Sequence, residues 1–213
     1  DVYKRQGYSK RNRKTYLNPL NLENINRVHF IGIGGIGMSA LAKFFMYKGV
    51  EVSGYDRSKT EITLLLSNLG SHIIYHDDIS SIKDIESVDL VVFTPAISSN
   101  NVQLNHFKKT NIPVHKRAYI LGEITKSYQT IAVAGTHGKT TTSSIVAHLL
   151  HQNNCGGVSF IGGICTNYNS NILLQEGQNA VVEADEYDRS FLQLHPNAII
   201  LTCLLYTSPS PRD

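Results

Sequence analysis

The 213-residue sequence lacks the features that mark membrane proteins, disulfide-stabilised domains and zinc-binding domains. No apolar run approaches the roughly 20 residues that a membrane-spanning helix needs, and the chain does not open with a signal-peptide pattern. Its three cysteines, Cys155, Cys165 and Cys203, form no Cys-x-x-Cys pair and have no regular spacing with histidines, so neither a disulfide framework nor a zinc site is predicted. We therefore expect a soluble cytoplasmic protein without a membrane partner.

Net positive charge is confined to the N-terminal segment. The formal net charge is +3, but residues 1–26 contain six basic and two acidic side chains, so the remaining residues carry a net charge of −1. Nucleic-acid binding requires a basic surface on the folded part of a protein. No nucleic-acid partner is therefore expected, and residues 1–26 are interpreted as a solvated basic segment.

The most informative stretch is a glycine-rich phosphate loop, AGTHGKTTT, at residues 134–142. Glycines let backbone N–H groups approach a polyphosphate, a lysine supplies a cation for its outer phosphates, and a threonine hydroxyl binds Mg²⁺. An apolar strand pattern precedes the loop, and apolar residues recur at helical spacing after it, which is the order that a phosphate loop requires. The pattern predicts that a nucleoside triphosphate binds Gly135, Thr136, His137, Gly138, Lys139, Thr140 and Thr141.

Three details of this loop matter for its interpretation. Only Thr136 and His137 separate the two glycines, whereas the commonest phosphate loop has four residues there, so the shorter form indicates a subfamily. Either Thr140 or Thr141 supplies the metal hydroxyl, and we select Thr140. For His137, both a contact with phosphate or substrate and a solvated or structural role stay open.

A second glycine loop lies about 100 residues earlier, where G-I-G-G-I-G at residues 32–37 follows a predicted strand and precedes a predicted helix. The pattern is that of a diphosphate-binding loop and does not identify what the diphosphate carries, since a UDP-sugar satisfies it as well as NAD does. Asp56 stands 19 residues past Gly37. It either accepts a hydrogen bond from a ribose hydroxyl or caps the following helix, and the sequence does not decide between these roles.

An acidic stretch follows the apolar strand pattern at residues 180–182 and contains Glu183, Asp185, Glu186 and Asp188. In a phosphate-loop domain, a carboxylate at the end of a neighbouring strand is where Mg²⁺ needs an oxygen ligand. Glu183 is the candidate because it is the first acid after the apolar run. One or two of the other three acids are interpreted as a solvated turn.

Strand and helix patterns alternate along the chain, which predicts an α/β fold of parallel sheets covered by helices. A Rossmann-like N-terminal domain is predicted over residues 27–120, and an incomplete phosphate-loop α/β domain over residues 121–202, with the boundary near residues 118–127. Predicted strands occupy residues 28–33, 50–54, 90–93, 113–115, 131–134, 158–161, 180–183 and 198–201, and predicted helices occupy 38–47, 61–69 and 102–109.

Both ends of the chain differ from this pattern. DVYKRQ at residues 1–6 and CLLYTSPSPRD at residues 203–213 resemble translated adaptor sequence. We expect residues 203–213 to be a non-native tail, and we expect the α/β pattern to be truncated after residue 201, since it stops directly after an apolar strand.

The motifs together resemble those of the Mur ligases, the ATP-dependent amide-forming enzymes of peptidoglycan precursor synthesis. The resemblance covers about residues 27–202 and rests on HFIGIGGIGMSALA (29–42), VSGYD (52–56), TPAIS (94–98), AGTHGKTTTSS (134–144), FIGGI (160–164) and EADEYDRSFL (183–192). It implies an enzyme that joins L-alanine to UDP-N-acetylmuramate through an acyl phosphate. By the same resemblance, UDP-sugar would bind Gly32, Gly34, Gly35, Gly37, Asp56, Thr94, Pro95 and Ala96.

The resemblance also implies that the second loop, at residues 135–141, binds ATP, that Lys139 and Glu183 are catalytic, and that Thr140 and Glu183 hold Mg²⁺. Family members continue into a further metal-binding segment and an amino-acid domain, so the 213-residue chain alone is expected to lack ligation activity. Three alternatives stay open at this point. They are a ligase that attaches recycled tripeptide to UDP-muramate, an NAD-dependent oxidoreductase that would leave Lys139 without a purpose, and a non-catalytic nucleotide-binding module.

Overall fold

A computed structural model describes residues 20–184 and 191–203, which form an α/β structure with two sheets. The first sheet contains β1 Arg27–Ile31, β2 Glu51–Tyr55, β3 His72–Ile74, β4 Leu90–Phe93 and β5 Val114–Lys116. The second contains β6 Gln129–Ala134, β7 Gly157–Cys165, β8 Ser170–Leu174, β9 Asn179–Glu183 and β10 Ala198–Leu201. The helices are α1 Ile36–Tyr47, α2 Glu61–Asn68, α3 Val102–Phe107, α4 Arg117–Thr125 and α5 Lys139–Gln152, with 3-10 turns at Leu22–Asn24 and Ile85–Ser87.

The first sheet is parallel throughout and has the strand order β3-β2-β1-β4-β5. Its central strands β1 and β4 are almost entirely buried because helices cover both faces, which explains their continuous apolar sequences. The chain runs outward from β1 to β2 and β3, and then returns to place β4 on the other side of β1. The carboxyl ends of β1 and β4 therefore flank a topological switch point, where α/β sheets bind ligands.

The second sheet has the order β10-β6-β9-β7-β8. Strands β10, β6, β9 and β7 are parallel, whereas β8 pairs antiparallel with β7 after a tight turn in which Asn169 has a φ of 47°. Strand β9 lies directly beside β6, with Val133 opposite Glu183. This register places the acid that ends β9 next to the loop that follows β6.

The two sheets share one core through α1. This helix follows the first glycine loop and packs on the β7–β8 hairpin of the second sheet, where the rings of Phe44 and Phe160 lie 5.9 Å apart. The buried side chain of Asn171 in β8 donates hydrogen bonds to the Ile36 carbonyl at 2.5 Å and to Ser39 Oγ at 2.9 Å. The contacts fix the helix of the first loop against the second sheet.

The α/β class with parallel sheets is confirmed, and every predicted strand overlaps an observed one. Strand β8 is an antiparallel addition to the second sheet that the sequence pattern did not predict. Strand β3 and helix α4 were also not predicted, and α4 occupies the segment in which the domain boundary was placed. The division at residues 27–120 and 121–202 stays a prediction.

Several expectations concern residues outside the described ranges. These are Asp185, Glu186, Asp188, most of the basic segment at residues 1–26 and most of the tail at residues 203–213. Among the helices of residues 20–184 and 191–203, none has both the length and the apolar character that crossing a lipid bilayer requires.

Candidate functional site

The first glycine loop lies at the carboxyl end of β1, at the switch point of the first sheet. Its first glycine, Gly32, has a φ of 86°, a left-handed conformation that side chains other than glycine rarely adopt. A crevice of about 510 Å³ opens beside the loop, and we call it the β1–β4 crevice. The residues that define it are Gly32, Gly35, Asp56, Arg57, Thr94 and Asn100.

Asp56 holds this loop in place. Its carboxylate accepts hydrogen bonds from the backbone N–H of Gly34 at 2.8 Å and of Ser58 at 3.1 Å. Helix α2 is capped instead by Thr60, whose hydroxyl accepts from the Thr63 N–H at 3.3 Å in a reciprocal capping box. The helix-capping interpretation of Asp56 is therefore wrong. The interpretation in which it contacts a ribose stays a prediction, since Asp56 does line the β1–β4 crevice.

The second glycine loop connects β6 to α5 in the order that the sequence predicted. Gly138 immediately precedes α5 with a φ of 82°, and the loop turns there into the helix. The Lys139 ammonium donates to the Gly135 carbonyl at 2.5 Å, so the side chain folds back over the loop. The N-terminus of α5 and the Lys139 ammonium together present positive electrostatic potential at the loop, which suits a polyphosphate.

The segment after β10 packs directly on this loop. The hydroxyl of Thr202 donates to the carbonyl oxygens of Ala134 at 3.1 Å and His137 at 2.5 Å, and the Thr136 N–H donates to the Cys203 carbonyl at 2.6 Å. His137 is an exposed residue, and its hydrogen bond from Thr202 is to its backbone carbonyl and not to its imidazole. A chemical role for its imidazole stays a prediction.

Glu183, at the end of β9, faces the start of α5. Its Oε1 accepts from Ser143 Oγ at 2.8 Å and from the Gly162 N–H at 2.8 Å, and its Oε2 accepts from Thr140 Oγ1 at 3.1 Å. Two donors hold one oxygen in place, and the other oxygen lies beside the Thr140 hydroxyl. A carboxylate oxygen and a hydroxyl side by side are hard oxygen donors of the kind that Mg²⁺ prefers, so these residues fit the ion.

Thr141 differs from Thr140 in its surroundings. Both residues are exposed and line a separate groove between α5 and β7, but of the two it is the Thr140 hydroxyl that donates to the Glu183 carboxylate within the described residues. The geometry therefore favours Thr140 over Thr141 as the metal ligand.

A cavity of about 340 Å³ lies between the two sheets and extends from the first loop to Glu183, whose carboxylate accepts a hydrogen bond from Thr140 of the second loop; we call it the inter-sheet cavity. Residues of the first loop line one end and Glu183 lines the other, and Phe160 and Leu194 contribute apolar surface. Its lining also includes Gly35, Gly37, Thr94, Arg117, Gly162 and Glu183.

The predicted site residues thus form two groups, one at each glycine loop, and the inter-sheet cavity extends from the first group to Glu183 of the second. Thr94 and Ala96 line the β1–β4 crevice, whereas the exposed Pro95 lines neither the crevice nor the inter-sheet cavity. The sequence reasoning missed the roles of Arg117, Ser143 and Gly162. A signal existed for Gly162, because it belongs to the FIGGI motif; Arg117 had none, since only the packing of α4 places it at the first loop.

Comparison with protein families gives two adjacent matches. Residues 27–129 match the model described as Mur ligase family, catalytic domain, and residues 133–188 match the Mur ligase middle domain. Both glycine loops and Glu183 lie within the matched residues.

Individual relatives are named as ligases of UDP-N-acetylmuramate. The chain is 49% identical over 187 residues to UDP-N-acetylmuramate--L-alanine ligase of Flavobacterium johnsoniae, covering 87% of this chain and 42% of that protein. It is similar to the crystal structure of UDP-N-acetylmuramate-alanine ligase from Thermotoga maritima, with a TM-score of 0.77, 33% identity and coverage of 85% and 42% of the two chains. A UDP-N-acetylmuramate:L-alanyl-gamma-D-glutamyl-meso-diaminopimelate ligase from Neisseria meningitides also has a TM-score of 0.77, at 27% identity, with coverage of 85% and 61%. The chain thus spans less than half the length of the first two proteins.

Proposed function

The chain belongs to the Mur ligase family, and on this basis we propose that the whole protein is an ATP-dependent ligase that joins L-alanine to UDP-N-acetylmuramate in peptidoglycan precursor synthesis. The observation that carries the proposal is the inter-sheet cavity. The diphosphate-type glycine loop lines one end of this cavity, and Glu183, at the end of β9, lines the other. A ligase of this kind must bring a sugar carboxylate to the terminal phosphate of ATP. A cavity that runs from the first loop to Glu183, the hydrogen-bond partner of Thr140 in the second loop, meets that requirement.

The two loops divide the binding between them. The amides of the first loop, at residues 32–37, bind the UDP diphosphate, and the uridine extends into the β1–β4 crevice with Asp56 and Thr94. The second loop, at residues 135–141, binds the ATP phosphates, and Lys139 neutralises their charge. This assignment corresponds to a UDP-sugar domain over residues 27–120 and an ATP domain over residues 121–202.

The chemistry follows from the poor reactivity of a carboxylate toward amines. A carboxylate oxygen of the sugar attacks the γ-phosphorus of ATP, which releases ADP and forms an acyl phosphate. The amine of L-alanine then attacks the acyl carbon, phosphate leaves, and the nitrogen gives up its proton to form the amide. The chain contributes by holding the reactants together and by neutralising charge at Lys139.

Mg²⁺ would be held by Thr140 Oγ1 and Glu183 Oε2, and when bound it would supply neutralisation of the phosphate charge. The hydrogen bonds from Ser143 and Gly162 keep the Glu183 carboxylate oriented toward Thr140. Since both nucleotides are cytoplasmic metabolites, we place the protein in the cytoplasm.

A thermal-shift comparison tests the two nucleotide sites on the 213-residue chain. We expect UDP-N-acetylmuramate and Mg²⁺–ATP each to raise the melting temperature, since a ligand that binds only the folded state stabilises it, and we expect NADH to leave it unchanged. Stabilisation by NADH but not by the UDP-sugar would support an oxidoreductase and overturn the proposal.

The choice of amino-acid substrate needs the whole enzyme. With ATP and UDP-N-acetylmuramate present, we expect phosphate release and amide formation with L-alanine and not with the tripeptide L-alanyl-γ-D-glutamyl-meso-diaminopimelate. The reverse preference would assign the protein to tripeptide recycling. The same assay on the 213-residue chain is expected to give no product.

A further inference from the structure

Arg117 lies against the first glycine loop, although it is 80 residues away from it in sequence. It is the first residue of α4, and its partly buried side chain covers Gly37. A Cβ atom placed on Gly37 would lie 2.5 Å from Nη1 and 3.1 Å from Cζ of Arg117. The guanidinium is therefore in direct contact with the last glycine of the loop.

Within the part of the chain that the structure describes, no protein group explains this position. Within residues 20–184 and 191–203, Arg117 forms neither an ion pair nor a hydrogen bond. A guanidinium has five N–H donors and stays charged under all ordinary conditions. One that faces a cavity without a protein acceptor is suited to an anionic ligand.

The residues that line the two cavities indicate which part of a bound UDP-sugar would contact Arg117. Gly35 and Thr94 line both the β1–β4 crevice and the inter-sheet cavity, so a diphosphate on the loop amides lies where the two cavities join. Asp56 lines the crevice side, and Arg117 and Glu183 line the other side. A UDP-sugar that spans the junction with its uridine in the crevice therefore has its sugar beside Arg117.

We infer that Arg117 binds the carboxylate of the sugar acid, a role that rests on the proposed function. Its planar fork matches a carboxylate in a two-bond arrangement, and its charge offsets the repulsion between that carboxylate and Glu183 across the cavity. Arg117 is thereby a substrate-binding residue that selects UDP-muramate over UDP-sugars without a carboxylate.

Calorimetric titration of the 213-residue chain with two ligands tests this role. UDP-N-acetylmuramate has the carboxylate, and UDP-N-acetylglucosamine has the same diphosphate and uridine without it. For Arg117→Met we expect the affinity for UDP-N-acetylmuramate to fall about 10-fold or more, as for loss of a charged hydrogen-bonded pair, and the affinity for UDP-N-acetylglucosamine to change less than about 2-fold. Lys116→Met, which removes a neighbouring exposed charge outside the cavity, is expected to change neither affinity.

Arg117→Lys keeps the charge but not the fork, and we expect it to weaken binding of UDP-N-acetylmuramate selectively by a smaller factor. If circular dichroism shows that Arg117→Met does not fold, Arg117→Lys replaces it as the test variant. An equal loss for both ligands would place the guanidinium on the diphosphate and overturn the inference, as would no loss for either. If the unsubstituted chain binds UDP-N-acetylglucosamine and UDP-N-acetylmuramate equally well, the inference fails while the UDP-sugar site stands; if it binds neither, the proposed function fails with it.

Discussion

The side-chain amide of Asn171 donates a hydrogen bond to the backbone carbonyl of Ile36, 2.5 Å away, and thereby joins β8 of the second sheet to the first turn of α1. Its Oδ1 accepts from the Lys43 ammonium at 2.9 Å. Asn171 is 1% exposed, so these bonds are formed away from water. Because α1 begins at the first glycine loop and β8 pairs with the strand that contacts Glu183, this one side chain helps set the distance between the two halves of the site.

Replacing Asn171 with alanine should lower the free energy of unfolding by about 1–3 kcal/mol, because buried hydrogen-bonding groups lose their partner. Chemical denaturation of the 213-residue chain measures the change. Asn167→Ala, an exposed position in the same β7–β8 turn, serves as the control and should shift stability by less than about 0.5 kcal/mol. Equal effects of the two substitutions would show that the Asn171 contact is energetically unimportant.

A buried histidine should make stability depend on pH. His29 is completely buried on β1, with Nδ1 2.8 Å from Ser53 Oγ and Nε2 3.0 Å from Gln103 Oε1. The Gln103 amide nitrogen donates to backbone carbonyls, so its oxygen faces His29 and the neutral Nε2–H ring satisfies both partners. Burial, opposed by the hydrogen bond to Gln103, lowers the pKa of His29 from 6.5 to about 4.

The sign of this pH effect follows from proton uptake. Between pH 6.5 and about pH 4 the unfolded chain binds a proton at His29 that the folded chain does not, so the folded state is progressively destabilised as pH falls. At pH 4.5 this proton uptake lowers the free energy of unfolding by about 2–3 kcal/mol, because each pH unit contributes about 1.4 kcal/mol. Denaturation at pH 7 and 4.5 should show that His29→Gln loses this part of the pH dependence, whereas His195→Gln, at an exposed position, keeps it. The same pH dependence in all three proteins would contradict the assignment.

Glu183→Gln should remove the effect of Mg²⁺ on ATP binding. An amide can still accept hydrogen bonds from Ser143 and Gly162, so the fold should persist, but one negative charge beside Thr140 is lost. We expect Mg²⁺ to tighten ATP binding to the unsubstituted chain and to have less than about a 2-fold effect on the variant, as measured by titration calorimetry with and without the ion. The exposed Glu176→Gln is the control and should behave as the unsubstituted chain does. An unchanged response in Glu183→Gln would remove Glu183 from the metal site.

Thr60→Ala should lower stability by about 1 kcal/mol through loss of the cap on α2. The backbone N–H of Thr60 also donates to Thr63 Oγ1 at 2.8 Å, and Thr60→Ser, which keeps the capping hydroxyl, should lie within a few tenths of a kcal/mol of the unsubstituted chain. Thermal unfolding of the two variants checks this. If the Thr60→Ala and Thr60→Ser variants are equally stable, the capping hydroxyl of Thr60 contributes nothing to stability.

Much of the site was predictable because its parts are local in sequence. A phosphate loop between a strand and a helix, and a glycine loop after a strand, are read from spacing alone, and the structure has both in that order. Strands buried on both faces were recognisable by their unbroken apolar runs. The short β3 and the antiparallel β8 were not, because three-residue strands and strands in hairpins with polar turns give little periodic signal.

The sequence by itself determined the α/β class, the two glycine loops and the candidate acid Glu183, since each depends on residues that are neighbours along the chain. Tertiary structure alone decided that Thr140 and not Thr141 faces Glu183, that Asp56 holds the first loop instead of capping α2, and that Arg117 covers Gly37. These relations depend on strand register and on the packing of helices against sheets, which join positions tens of residues apart. The sequence of residues 134–142 predicts a nucleotide site, but only the packing of α1 on β7 and β8 brings Glu183, the hydrogen-bond partner of Thr140, into one cavity with the first loop.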